Sequence, residues 1–121
     1  MQSLRAELAW SLEAPRVARA LVGTWLEATG VGAPEAADLV LATSELVTWA
    51  VNGCPADPTL ECSLDADGVR IAVGSAPMLD GPYDEWGDLG ATVMWAICDA
   101  WGRVDDTGST HLWAWLRPAV T

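Results

Sequence analysis

The sequence predicts an α+β fold, a two-layer sandwich with its helices on one face of a mixed, mostly antiparallel sheet. Three observations predict it. Apolar residues alternate with polar ones in short runs, as half-buried strands require, and recur at helical spacing in three longer runs. The runs follow the order β-α-α-β-β-loop-α-β-β. Asp65-Ala66-Asp67-Gly68 is a hairpin turn, which makes its two flanking strands antiparallel. A length of 121 residues is enough for a single domain, residues 1–121, around one core.

Taken in order, residues 3–12 read as a strand or extended arm, with Leu4, Ala6, Leu8, Trp10 and Leu12 alternating. Glu13-Ala14-Pro15 opens a helix whose apolar positions are Val17, Ala18, Leu21, Val22, Trp25 and Leu26. Thr29-Gly30-Val31-Gly32 stops it. Pro34 starts a second helix that runs to about Asn52 and ends at Gly53. Its core face includes Ala37, Val40, Leu41, Ser44, Val47 and Val51. Glu45, Thr48, Trp49 and Asn52 form an adjacent stripe, because three- and four-residue steps share a helix face. Leu60–Leu64 and Val69–Ser75 are the arms of the hairpin. Residues 76–88, with two prolines, two glycines and four acids, read as a mobile loop. A third helix is expected from about Leu89 to Ala100. A strand begins at Trp101, a turn spans Asp105 to Ser109, and His111 to Leu116 form the last strand.

Composition excludes several functions. Seventeen acids against six basic residues, all arginine, give a net charge of −11. No basic patch exists for nucleic acid or for an anionic membrane surface. A basic protein partner is compatible with that charge. Cys54, Cys62 and Cys98 are odd in number and lack metal-site spacing, so no disulfide framework or zinc site is expected and a reducing cytoplasm fits. No basic-then-apolar leader and no apolar run of membrane-spanning length is present. His111 is the sole histidine and reads as structural or exposed. The eight tryptophans, with one tyrosine and no phenylalanine, suit cores, pockets and interfaces alike.

Three segments carry a family resemblance. These are Leu39 to Thr48, Trp95-Ala96-Ile97-Cys98-Asp99-Ala100-Trp101-Gly102, and Gly108-Ser109-Thr110 leading into Leu112-Trp113-Ala114. With the element order, they make the chain similar, from about Leu8 to Pro118, to the GHKL-type ATPase domain found in histidine kinases. Within that group it most resembles the anti-sigma-factor serine kinases, in their short actinobacterial regulatory form. The resemblance implies the histidine-kinase-like ATPase fold, a regulatory role toward a protein partner, and pairing of two copies through the N-terminal region of the sheet.

It also implies a nucleotide site, and here the residues depart from it. Glu45 matches the family's general base. Trp49 stands where the family has a magnesium-binding asparagine, and an indole has no oxygen to offer a hard cation. Thr48 and Asn52 flank it on the same stripe. Ser75 stands where an aspartate reads adenine. In the matched phosphate-cupping segment Asp88-Leu89-Gly90-Ala91 only Gly90 survives, and Asp88 sets a negative charge where phosphates should meet backbone N–H groups. Asp80, Asp84 and Glu85 add to it. Loss of a metal's support costs roughly 10- to 100-fold in affinity. Loss of a charge-assisted hydrogen bond costs about 1.5–3 kcal/mol.

The expected protein therefore has no cofactor and no metal, and leans away from being an enzyme. The leading expectation is a regulatory domain that binds a protein partner, a second copy of itself, or both. Two alternatives stay open. One is a repurposed apolar pocket for a small molecule with Glu45 as acid or base. The other is an ATP-dependent serine kinase with an atypical pocket. Trp49 itself reads either as a plug in the vacated site or as the wall of a remodelled one.

Overall fold

The computed structural model describes residues 2–77 and 87–117. Its elements are β1 (Gln2–Glu7), α1 (Ala14–Thr29), α2 (Ala33–Gly53), β2 (Thr59–Leu64), β3 (Val69–Ser75), α3 (Gly87–Ile97), β4 (Ala100–Asp106) and β5 (Ser109–Leu116). The five strands form one sheet in the order β1-β2-β3-β5-β4. Every pairing is antiparallel, so the sheet is uniform rather than mixed. The α+β architecture is the one the sequence predicts.

The period of two decides which side of the sheet is buried. Leu60 and Cys62 of β2, Val69, Ile71 and Val73 of β3, and Leu112, Ala114 and Leu116 of β5 all turn inward. The α1–α2 hairpin covers them. α1 contributes Ala14, Ala18, Val22 and Leu26, one residue per turn. It stops at Gly30, whose φ of 82° is the left-handed cap that suits glycine. α2 contributes Leu39, Ala42, Leu46, Val47, Trp49 and Ala50. Its one buried hydroxyl, on Thr43, donates to the Leu39 carbonyl at 2.8 Å. α3 lies beside α2 and β4.

Two boundaries differ from expectation for identifiable reasons. β1 ends at Glu7 rather than continuing to Leu12. Leu8 still bonds Pro58 through its backbone N–H at 2.8 Å and is buried. Trp10 is then drawn aside, because its backbone N–H goes to Asp57 Oδ1 at 2.7 Å and its indole N–H to the Val51 carbonyl at 2.9 Å. The expected apolar row on the edge strand is thereby broken up: Leu8 is core, while Leu12 is 80% exposed. The second difference is α3, which ends at Ile97 rather than Ala100. The Asp99 N–H bonds the Trp115 carbonyl at 3.0 Å, and the Asp99 carboxylate accepts the Arg117 N–H at 2.7 Å. Those bonds pull the chain into the β4–β5 register before another helical turn can form.

The β2–β3 turn is held by the Asp65 carboxylate, which accepts the N–H groups of Asp67 at 2.8 Å and Gly68 at 3.2 Å. Gly68 also sits under a tryptophan. A Cβ there would lie 2.8 Å from the Leu116 carbonyl oxygen and 2.9 Å from Trp115 Nε1. Backbone cannot retreat as a flexible side chain can, so Gly68→Ala is expected to destabilise the fold by about 1–3 kcal/mol in urea titration.

Candidate functional site

The α2 stripe divides once it is packed. Trp49 goes inward and is 1% exposed. Asn52, one turn on, is exposed, so the two do not share a site as the helix stripe implied. Thr48 is half-buried and spends its hydroxyl on the Ser44 carbonyl at 2.7 Å, within its own helix. Glu45 is half-buried as well. Burial raises its carboxyl above the ordinary glutamate range, with no neighbouring charge contributing to the shift.

Trp49 meets Gly90 of α3. A Cβ on residue 90 would lie 2.9 Å from Trp49 Cζ2, 3.3 Å from Nε1 and 3.4 Å from Cε2. The indole therefore rests on the glycine backbone at the start of α3. On another side it meets Trp101 of β4, with ring centroids 5.6 Å apart and planes tilted by 36°. Trp95 of α3 packs edge-on against Trp101 at 5.3 Å. Trp49 and Gly90 are thus brought together, with the indole between α2 and α3.

Ser75 closes β3 opposite Thr110 and donates its hydroxyl to the Ala76 carbonyl at 2.8 Å. It lines an open cavity of about 300 Å³ with Arg5, Asp57, Thr59, Glu61 and His111, which includes neither Glu45 nor Trp49. The acids Asp80, Asp84 and Glu85, and the side chain of Asp88, lie outside the described residues.

Sequence reasoning missed one polar cluster at this end of the sheet. Arg103, with a side chain only 12% exposed, clasps Asp105 through Nε and Nη2 at 2.9–3.0 Å. The buried Thr110 hydroxyl donates to the same carboxylate at 2.8 Å. The hydrogen bond from Arg103, and then that from Thr110, hold the Asp105 carboxyl below the usual range. The signal was available in the alternation Arg103-Val104-Asp105, which puts both charges on one side of a strand. Trp101 was also legible as part of the Trp-Gly segment, but its contact with Trp49 was not.

The cysteines offer no nucleophile. All three are buried and unbridged. Burial pushes Cys62 and Cys98 up to about 12, with Glu61 adding to the first and Asp38 and Asp99 to the second. Among the described residues no group of three His, Cys, Asp or Glu could hold a metal ion. No described helix is long and apolar enough to cross a membrane.

Solved structures that share this fold include the following two. The RsbU and RsbW domains of Rv1364c from Mycobacterium tuberculosis match with a TM-score of 0.80 at 24% identity, over 100% of this chain and 34% of that one. The chain thus spans about a third of that neighbour's length. The SiaB–SiaC complex from Pseudomonas aeruginosa matches with a TM-score of 0.70 at 14% identity, over 93% of this chain and 88% of that one. The likeness is one of fold. No family model matches the sequence, and no curated protein matches it.

Two predictions follow from the geometry. Trp49→Ala removes a fully packed indole and is expected to cost about 3–5 kcal/mol. Gly90→Ala, forced against that indole, is expected to cost about 1–3 kcal/mol, and to cost little once Trp49 is alanine. A double-mutant cycle by chemical denaturation reads the coupling; additive costs would show that the contact is not made.

The second concerns Glu45. Its folded pKa is raised, so the folded chain keeps a proton where the unfolded chain has lost it. The stability it lends is present below the unfolded pKa and is lost as pH rises through the folded pKa. Glu45→Gln should remove that loss. Its melting temperature is expected to exceed the parent's at neutral pH and to change less between about pH 4 and about pH 7.

Proposed function

We propose that the chain is a regulatory, protein-binding domain of the anti-sigma-factor type that has given up ordinary magnesium–ATP binding. One observation carries this reading: Trp49 is buried and lies on Gly90. In the family the chain resembles, these two positions face the magnesium ion and the phosphates. Here they face each other across an indole. A nucleotide entering between α2 and α3 would have to displace a packed side chain whose removal costs several kcal/mol. Ser75, bonded to its neighbour's carbonyl, offers no carboxylate to adenine.

The regulatory part of the reading is supported by the shared fold with the RsbU and RsbW domains and with a complex of two proteins. A partner protein, or a second copy of this chain, would then be bound through the surface rather than acted on. The unbridged cysteines suit a cytoplasmic setting.

A second reading, a remodelled pocket that uses Glu45 as acid or base on a small molecule, has the raised Glu45 carboxyl in its favour. The burial of Trp49 weighs against it, because the indole serves the core rather than lining a cavity. The serine-kinase reading keeps only Glu45 and Gly90, and Gly90 is occupied by Trp49.

Titration calorimetry of the chain with ATP and magnesium tests the proposal. No heat of binding is expected at millimolar nucleotide. A dissociation constant below a millimolar would overturn the claim that nucleotide binding is lost.

A further inference from the structure

The sheet's outer face carries a second arrangement, on the opposite side from Trp49. Trp113 and Trp115 of β5 point outward and lie down on backbone that has no side chain. A Cβ at Gly102 would sit 3.2 Å from Trp113 Cζ2, and one at Gly68 would sit 2.9 Å from Trp115 Nε1. A guanidinium then covers each ring. Arg70 lies 5.6 Å from the Trp113 centroid and Arg117 lies 5.2 Å from the Trp115 centroid. Arg70 and Trp115 are direct register partners, so the four side chains make one continuous patch.

Charge makes this patch unusual. Arg5, Arg16 and Arg103 each pair with a carboxylate, and Arg19 donates to the Ser44 hydroxyl at 2.8 Å. Arg70 and Arg117, both exposed, make no ion pair among the described residues, in a chain with seventeen acids. Asp99 takes the backbone N–H of Arg117 rather than its guanidinium. Arg70 also borders a cavity of about 280 Å³ with Ser3, Ser63 and the paired Arg5 and Glu61 on its walls. The outward strand residues and Arg117 together hold three arginines against Glu7, Glu61 and Asp106, so these residues carry no net charge in a chain of −11.

Stacking on indole fixes a guanidinium without consuming its N–H edge. That edge is a planar fork matched to a carboxylate, and ordering the fork beforehand lowers the entropy lost on binding. We propose that the outer face is a docking surface for an acidic, extended segment of a partner protein, whose carboxylates are taken by Arg70 and Arg117. Exposed acids elsewhere in the chain repel such a segment, and at physiological salt their field fades over about 8 Å. The surface is separate from the α2–α3 contact, so it holds whether or not nucleotide binding is lost.

Titrate the full chain with a hexaglutamate peptide and with a hexaserine control, following the indole N–H resonances by NMR. Hexaglutamate is expected to move Trp113 and Trp115 saturably, with affinity that falls as salt rises. The double variant Arg70→Gln, Arg117→Gln is expected to weaken binding at least tenfold with an unchanged circular dichroism spectrum. If that variant does not fold, Arg70→Lys with Arg117→Lys keeps both charges, loses the fork, and should show the same loss. The proposal is overturned by no shift at millimolar peptide, by equal response to hexaserine, or by binding indifferent to these substitutions. Sedimentation showing a dimer that the same substitutions dissolve would also overturn it, since a second copy would then own the face.

Discussion

The contact between Trp49 and Gly90 sets where α3 can lie. Any side chain at residue 90 would place its first carbon within 2.9 Å of the indole. The helix can approach α2 this closely only because that carbon is missing. Trp101 closes the indole on the β4 side, so one ring joins α2, α3 and the edge of the sheet. Trp49 and Gly90 are here committed to packing. Function and stability are consequently entangled at this point, since the residue that fills the site is also among the largest in the core.

The same device recurs outside the core. This chain has eight tryptophans and no phenylalanine, and among the described residues three of them lie against a glycine: Trp49 on Gly90, Trp113 on Gly102, Trp115 on Gly68. An indole presents more area than a phenyl ring and has to be accommodated by removing something beneath it. On the inner side the result is a close helix crossing. On the outer side it is a pair of flattened rings that shelter a sheet face no described helix covers. The arginines over the rings complete that covering.

Much of the fold was legible because its signals are local. Alternation gave β2, β3 and β5, the Asp65–Gly68 turn gave the antiparallel arrangement of β2 and β3, and Gly30 gave the break between helices. β1 was read too long because alternation continues past Glu7, while the partners that divert Trp10 are Asp57 and Val51, more than forty positions away. The candidate site was less legible. Helical spacing places Glu45, Trp49 and Asn52 on one stripe. At about 100° per residue, however, Trp49 lies about 40° to one side of Glu45 and Asn52 about 20° to the other. Sixty degrees is enough to put one in the core and one in solvent. That outcome depends on where α3 and β4 lie, which no single helix records. The Arg103–Asp105–Thr110 cluster was hidden for a like reason: it needs the β4–β5 register as well as the alternation within β4.

These couplings bear on how such a site could change. If Trp49 alone were returned to asparagine, the core would lose an indole, and a polar amide would be set against Gly90 and Trp101 with no ion to satisfy it. Burying an amide without a partner is itself unfavourable by a few kcal/mol, in addition to the cavity. Glu45 would remain half-buried, its carboxyl held above the ordinary range by burial alone. Ser75 would still lack the second oxygen of a carboxylate. The change at Trp49 therefore loses stability before any nucleotide can compensate it, and contacting residues do not contribute additively. On the proposed reading, the departure from nucleotide chemistry is held in place by packing, and only concerted change across α2, β3 and α3 would undo it.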